Sequence, residues 1–279
     1  VYAYSDSSNI VADGLDVRSG ADAANYMGWS QNEWLARLSS GIQLDGPNSA
    51  IRNSTMIGVY MGGAVSGKNS IMSGNYVEGF SGDAYRAIAD GDTISGNVAK
   101  NCFQVNDNHA DAFQSWVDAD GVLDGLTIEN NTFLEWASTT VNPLRCYLQG
   151  VGMFDGPYSN VTIRNNLISV TAYHGIGLYG AQTAKVVNNT VVSANGVDGN
   201  LPWIGIFKNK DGRFPSNVVV ANNLAMYYTA DAGLDSSMVT YANNSTVMGM
   251  STVFQNISAY DYTPTATSGY VDTGNASYA

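Results

Sequence analysis

The sequence predicts an all-β solenoid: a parallel β-helix of three sheets with about 22 residues per turn. Two observations carry that expectation. The first is a unit in which an apolar residue is followed shortly by Asn. It recurs as Ile51-Arg52-Asn53, Ile71-Met72-Ser73-Gly74-Asn75, Ile94-Ser95-Gly96-Asn97, Ile128-Glu129-Asn130-Asn131, Ile163-Arg164-Asn165-Asn166, Val186-Val187-Asn188-Asn189, Val219-Val220-Ala221-Asn222-Asn223 and Tyr241-Ala242-Asn243-Asn244. The steps from Asn53 through Asn75, Asn97, Asn131, Asn166, Asn189 and Asn223 to Asn244 are 22, 22, 34, 35, 23, 34 and 21 residues. The second is composition: 30 Gly and only 13% charged residues, with much Asn, Ser, Thr and Val, which suits short strands and many turns.

A step near 22 residues fits three short strands joined by three bends, each turn hydrogen-bonded to its neighbours at about 4.8 Å. Asn at a fixed bend tolerates the left-handed conformation, and its amide can bond the next Asn in a ladder. Two residues after the ladder, Val77, Ala99, Phe133, Ile168, Val191 and Ala225 are expected to point inward. Neither leucine nor helical periodicity appears, which excludes leucine-rich and helical repeats.

Taken in order, residues 1–45 read as an irregular N-terminal part with a short helix near 31–38. Ser30 and Glu33 form a capping-box pattern there, and Trp34, Leu35 and Leu38 give one apolar face, packed on the body near its N-terminal end. Coil repeats occupy 46–250, and 251–279 is a closing segment covering the open end of the coil. The whole is read as one domain. The three long steps, 98–130, 132–165 and 190–222, hold extra loops; insertions on one side of a coil would wall a groove.

A net charge of −12 and a pI near 4.3 disfavour nucleic acid and anionic membrane surfaces as partners. No apolar run reaches the length of a membrane span. The sequence opens at Val1 with no signal peptide, and the expectation is a mature, extracellular chain whose targeting segment has been removed. Cys102 and Cys146 are too few for a disulfide framework and read as buried free thiols.

The candidate site lies at residues 83–116. Asp83-Ala84-Tyr85-Arg86 returns as Asp111-Ala112-Phe113-Gln114, so on neighbouring turns Arg86 lies beside Gln114 and Asp83 beside Asp111, with His109 and Asp107 at the lip. Aligning Tyr85, Phe113, Leu148, Leu178 and Ile206 as inward positions puts Arg86, Gln114, Gln149, Tyr179 and Phe207 outward. This column suits β-elimination on a uronic acid. The carboxylate is neutralised, a base takes the C5 proton, and an acid assists departure of O4.

Arg86 is the candidate neutraliser or proton donor, and histidine, here His109, is the side chain that exchanges protons near neutral pH. Asp107 and Asp111 can orient it. Lys100 and Lys208 are lesser candidates for the base. Asp83, Asp107 and Asp111 can supply three oxygens to a Ca²⁺; no organic cofactor is expected. Gln114, Tyr147, Gln149, Tyr179, Trp203 and Lys208 are candidate substrate contacts, and Trp116, Tyr147, Tyr179 and Trp203 can stack on sugars or pack under loops. His174 reads as a structural histidine beside a strand. The bland account makes Arg86, Asp83 and Asp111 a structural ion-pair ladder.

The repeat, the outward column and a tail with a Ser-containing turn before Val271-Asp272-Thr273-Gly274 resemble the right-handed β-helix polysaccharide lyases of the pectate lyase-like superfamily, over about residues 45–275. Asp107-Asn108-His109 resembles the last three positions of the Tyr-Gly-Phe-Asp-Pro-His motif of mannuronan C5-epimerases, with Gln104 in place of its Tyr and Asn106 in place of its Phe. The resemblance implies a right-handed coil acting on an anionic polysaccharide, alginate being the first guess. A glycoside hydrolase using Asp83, Asp107, Asp111 and Asp118, a C5-epimerase and a non-catalytic glycan-binding module stay open beside it.

Overall fold

Strand alternation turns the repeat into three walls. The computed structural model describes residues 1–117, 121–196 and 201–278, and its strands form three parallel sheets. The first sheet stacks Tyr2–Ala3, Ser40–Leu44, Met61–Val65, Tyr85–Ala87, Asp111–Trp116, Gln149–Asp155, His174–Tyr179, Trp203–Phe207 and Tyr227–Ala230. The second runs from Val11–Asp13 to Val239–Ala242, and the third from Asp16–Arg18 to Ser245–Thr246.

Each sheet sends one apolar column inward. In the second sheet Ile51, Met72, Ile94, Ile128, Ile163, Val186 and Val220 lie in register, all fully buried. In the third sheet Val77, Ala99, Phe133, Ile168, Val191 and Ala225 do the same, as expected. Burial of each branched or aromatic member contributes about 1.5–3 kcal/mol, so the stacked columns drive the coil together.

The bend between the second and third sheets divides its work between two adjacent residues. The left-handed position is taken by Asn53, Gly74, Gly96, Asn130, Asn165, Asn188, Asn222 and Asn243. The ladder is built by the residue after it. Asn75, Asn97, Asn131, Asn166, Asn189, Asn223 and Asn244 are linked by Nδ2–H to Oδ1 bonds of 2.9–3.0 Å. The same Oδ1 atoms accept backbone N–H groups, as Asn131 Oδ1 does from Asn97 at 2.9 Å. The expectation that one Asn does both jobs is therefore corrected, and the ladder begins at Ser54, whose N–H donates to Asn75 Oδ1, rather than at Asn53.

The coil also starts earlier than the repeat spacing indicates, because strands at Tyr2–Ala3, Val11–Asp13 and Asp16–Arg18 make a first turn inside the segment read as irregular. The helix is shorter than expected, Gln31–Leu35, with the capping box of Ser30 and Glu33 formed. Of its expected apolar face only Trp34 is buried; Leu35 and Leu38 are exposed. Trp34 packs with Tyr26, Trp29 and Phe103, and Trp136 joins the same cluster. Tyr26 donates to Glu78 on the outer face of the third sheet.

The C-terminal segment lies along that same face. Met250, Val253, Phe254 and Tyr262 cover Leu134, Val192 and Met226, and Tyr262 Oη meets Ser169 Oγ at 2.9 Å. Its later part returns to the last turns, where the Asn275 N–H donates to Asn222 Oδ1.

Cys102 and Cys146 form a disulfide, with Cα atoms 5.4 Å apart, and not the two thiols expected. The long loop after Leu134 folds back so that the Cys146 N–H donates to Cys102 O and Phe103 pairs with Arg145, bringing together two cysteines 44 residues apart. Arg145 anchors the loop through the buried Glu135, at 2.7 Å; Glu135 also accepts from the Leu148 N–H and from Thr171. This loop, the connections from Cys102 to Asp111 and from Trp116 to Leu123, and those on either side of Trp203–Phe207 all enter or leave the first sheet. The long steps thus frame one face.

Candidate functional site

On the first sheet Tyr85 pairs with Phe113 and Arg86 with Gln114, as the repeated tetrapeptide requires. Beyond that turn the register differs from the expected alignment. Phe113 faces Val151 and not Leu148, Gln114 faces Gly152, and Gln149 faces Asp111. The outward column through Arg86 is therefore Ala64, Arg86, Gln114, Gly152, Gly177 and Gly205. The second column contains Asp83, Asp111 and Gln149. The extra residues after Leu134 displaced the alignment, because they shift the phase by a loop length that no strand pattern reveals.

Asp83 and Asp111 are both fully buried. Asp83 Oδ2 accepts from Arg86 Nε at 2.5 Å, and its Oδ1 accepts the Asp111 backbone N–H at 3.0 Å. Neither carboxyl oxygen of Asp111 has a hydrogen-bond partner, nor has Gln149 Oε1. Burial pushes the Asp111 carboxyl well above the usual carboxylate range and the charge of Asp83 pushes it further, with Arg86 opposing. Burial raises Asp83 as well, but the Arg86 guanidinium and the Asp111 N–H hold it back. Of the two, Asp111, buried with neither oxygen hydrogen-bonded, is the carboxyl whose neutral form the site favours more strongly.

His109 is 60% exposed at the lip, its Nε2 3.6 Å from Asp111 Oδ2 and 3.5 Å from Gln114 Nε2. Gln104, in the same loop, donates to the carbonyls of Asn106 and Asn108 and so fixes the approach to His109. The Arg86 guanidinium lies over the Trp116 ring, 5.2 Å from its centre. Both line a cleft of ≈ 230 Å³ with Gln43, Ser40, Met61 and Ser66. The Nη groups of Arg86 have no protein partner among the described residues.

Past the acids, the same face becomes aromatic. Phe154 stands 4.8 Å from His174 and 5.4 Å from Tyr179, His174 stands 4.7 Å from Trp203, and Tyr179 stacks on Phe207 at 4.7 Å. The rings lie over glycine. A Cβ at Gly152 would meet Phe154 at 2.7 Å, one at Gly177 would meet Phe154 at 2.8 Å, and one at Gly205 would meet Phe207 at 2.4 Å. His174, read from sequence as structural, is a half-buried member of this surface. Burial, with the charge of His109 adding to it, lowers its pKa to about 4. Phe154, His174 and Phe207 were not singled out as contacts, yet a signal existed: Val151-Gly152-Met153-Phe154, Ile176-Gly177-Leu178-Tyr179 and Ile204-Gly205-Ile206-Phe207 are one repeated tetrapeptide.

Other expected members stand elsewhere. Lys100 is on the third sheet, 3.5 Å from Glu78 and over the Tyr76 ring, so it is no base for this groove. The Lys208 side chain lies beside Phe214, and the Lys208 N–H donates to Asp231, beyond the aromatic surface. Tyr147 is exposed next to the disulfide. Asp107 is exposed, and the described residues contain no group of three or more His, Cys, Asp or Glu able to hold a metal. Both oxygens of Asp83 are engaged, by Arg86 and by the Asp111 N–H, and Asp107 is exposed, so Asp83, Asp107 and Asp111 are not gathered into a three-oxygen group in this arrangement. Asp118 lies outside the described residues.

The chain matches the family described as "Right handed beta helix region" over residues 6–260. No curated protein matches it in sequence at a significant level. Among solved structures, it is similar to the Dettilon tailspike protein (gp208), with 12% identity, a TM-score of 0.44, and coverage of 85% of this chain and 60% of that one. It is also similar to pectate lyase Pel9A, with 14% identity, a TM-score of 0.47, and coverage of 96% and 72%. A third is the A-module of the Azotobacter vinelandii mannuronan C-5 epimerase AlgE6, with 10% identity, a TM-score of 0.32, and coverage of 75% and 65%. The chain thus spans about three fifths of the tailspike's length.

Proposed function

The chain belongs to the right-handed β-helix family, and from that premise we propose that it is an extracellular lyase cleaving a uronate-bearing polysaccharide by β-elimination. One observation carries the reading. The paired strands at Tyr85–Ala87 and Asp111–Trp116, with the loop that leads into the second, put a guanidinium and an imidazole on one groove face, with two buried carboxyls behind them. The disulfide supports the extracellular setting.

In this reading the substrate lies along the outer face of the first sheet, with a uronate carboxylate on the free Nη groups of Arg86. Negative charge grows on that carboxylate as C5 loses its proton, so the guanidinium binds the transition state more strongly than the ground state. Asp83 and Trp116 hold the guanidinium in place. His109 takes the C5 proton; the C5–H electron pair forms the C4–C5 double bond as the C4–O4 bond breaks, and the imidazolium returns the proton to O4. Asp111, 3.6 Å from His109 Nε2 and with its neutral form favoured by burial, is the polar neighbour that orients the imidazole. No metal is needed for these steps.

A hydrolase is the second reading, favoured by the two neighbouring carboxyls of Asp83 and Asp111, both raised by burial. It is opposed by the burial of both carboxyls, which leaves neither open to a glycosidic oxygen. The test is incubation with alginate, pectate, hyaluronan and glucuronan, following the ultraviolet absorbance of the unsaturated uronate. New absorbance is expected on at least one. New reducing ends without it would establish hydrolysis, and no product on any would remove the lyase reading.

A further inference from the structure

A polymer made only of uronates places a carboxylate at every subsite, so a groove built for it needs a cation on nearly every turn. Turns of a β-helix repeat at about 4.8 Å, close to the length of one sugar. In this groove the first half has its cation, Arg86, with the His109 imidazole beside the acids. The second half does not. Its floor is Gly152, Gly177 and Gly205, and its surface is Phe154, His174, Tyr179, Trp203 and Phe207.

The charges bordering that surface cancel. Lys210 is paired with Asp155, the Lys208 ammonium lies over the Phe214 ring beyond the surface, and Asp231 and Asp211 accompany Lys208 and Arg213, so the border holds three cations against three acids. The one imidazole inside the surface, His174, is enclosed by Phe154, Tyr173 and Trp203 at 4.2–4.8 Å and stays neutral at pH 7. A neutral imidazole exchanges hydrogen bonds with hydroxyls but gives a carboxylate no charge. Aromatic faces in turn suit the apolar C–H faces of uncharged sugars.

We infer that the groove takes a heteropolysaccharide: the uronate held by Arg86 and His109 is followed, toward the C-terminal turns, by uncharged sugars lying on the aromatic surface from Phe154 to Phe207. The inference rests on the lyase reading for the identity of the cleaved residue and narrows its substrate class. Homopolymers of uronate, alginate among them, are disfavoured because their next carboxylates would lie on rings and a neutral imidazole.

The experiment compares the full chain on alginate and polygalacturonate with hyaluronan and a gellan-type polymer carrying a single glucuronate per repeat, measuring unsaturated product. In parallel, the quenching of aromatic fluorescence by oligosaccharides of the same four polymers is titrated. The expected result is a kcat/KM on one of the mixed polymers at least about tenfold above either homopolymer, with Trp203→Ala lowering affinity for it by about tenfold. Trp203→Phe keeps a ring and should keep the preference, which separates loss of the surface from loss of the fold.

Equal or faster cleavage of the homopolymers overturns the inference and leaves the lyase reading standing. Absence of product with selective, Trp203-dependent binding of a mixed polymer removes the lyase reading and sustains the inference about the surface. No product and no binding overturns both.

Discussion

Gly152→Ala tests whether the glycine floor exists for the sake of the acid pair. The added Cβ would lie 2.4 Å from Asp111 Oδ1 and 2.7 Å from the Phe154 ring, where ordinary contact begins at 3.4 Å. The shortfall at Asp111 is 3.4 − 2.4 = 1.0 Å. Asp111 is wedged behind His109 and Arg86, so relief requires the carboxyl, the Phe154 ring or the strand to move by that much. A displacement of about 1 Å in a catalytic group costs on the order of a hundredfold in rate. Overpacking costs about 1–3 kcal/mol of stability, a small fall in Tm for a coil of this size. Gly177→Ala presses on Phe154 at 2.8 Å and on Tyr179 but meets no carboxyl, so it should weaken binding more than turnover. The assay is kcat and KM for whichever cleavage product the wild type gives, beside calorimetric melting. A Gly152→Ala enzyme within about threefold of wild type in kcat would refute the claim that Asp111 is positioned for chemistry.

Asp111→Asn should trade activity for stability. The folded protein keeps a proton on Asp111 that the unfolded chain releases above the ordinary carboxylate range, so this group's contribution is present below that range and lost as pH rises through its raised folded value. Since neither Asp111 oxygen has a partner, the amide forfeits no hydrogen bond, and Tm at pH 8 should rise by roughly 2–4 °C with turnover falling; an unchanged pH dependence of Tm would contradict the raised Asp111 carboxyl. Asn131→Ala strands the Asn97 N–H, one Asn97 Nδ2–H and the Ile94 carbonyl inside the ladder, at roughly 3–6 kcal/mol, whereas Asn244→Ala loses the equivalent three bonds at the half-buried end, where water can replace them, and should cost about 1–2 kcal/mol. Urea titrations giving equal costs would deny the ladder its role. Arg86→Ala and His109→Ala should each abolish most turnover, with the double variant little worse than the poorer single; fully additive losses would mean the two do not act on one bound sugar. Reducing the disulfide, which closes a 44-residue separation, should cost roughly 4 kcal/mol and impair turnover by loosening the connections to His109 and Gln149; a reduced protein that melts and turns over as before would contradict this.

The coil was legible because its signal is local and repeated. Ile94, Ile128 and Ile163 carry the inward phase of one sheet, and the Asn pairs carry the bend. The pairing of Arg86 with Gln114 was legible for the same reason, since a tetrapeptide recurred. What escaped depended on chain far away in sequence. Lys100 looked available because nothing local shows Glu78 beside it on the third sheet. Gln149 was put in the wrong column because the loop between Leu134 and Gln149 has no period to count. The disulfide was missed because that same loop folds back by an antiparallel bridge at Phe103 and Arg145, a contact outside the repeat. The aromatic surface is written in its Gly-apolar-aromatic units, but a single aromatic at the end of a strand is equally consistent with packing under a loop, and only the register of Gly152, Gly177 and Gly205 puts the rings on one face.

The asparagine ladder works as a phase lock. Its rungs join residues separated by 21, 22, 34, 35, 23, 34 and 21 positions, yet every rung has nearly the same length. Angular position around the coil is therefore reset once per turn, whatever length of chain was spent on the far side. A lengthened or exchanged loop beside the first sheet alters the height of the groove wall without rotating Arg86, Asp111 or the glycine floor. Walls and floor can thus change independently, and a new wall can be grafted at the positions after Phe207 while the register of Arg86 and Asp111 is inherited intact.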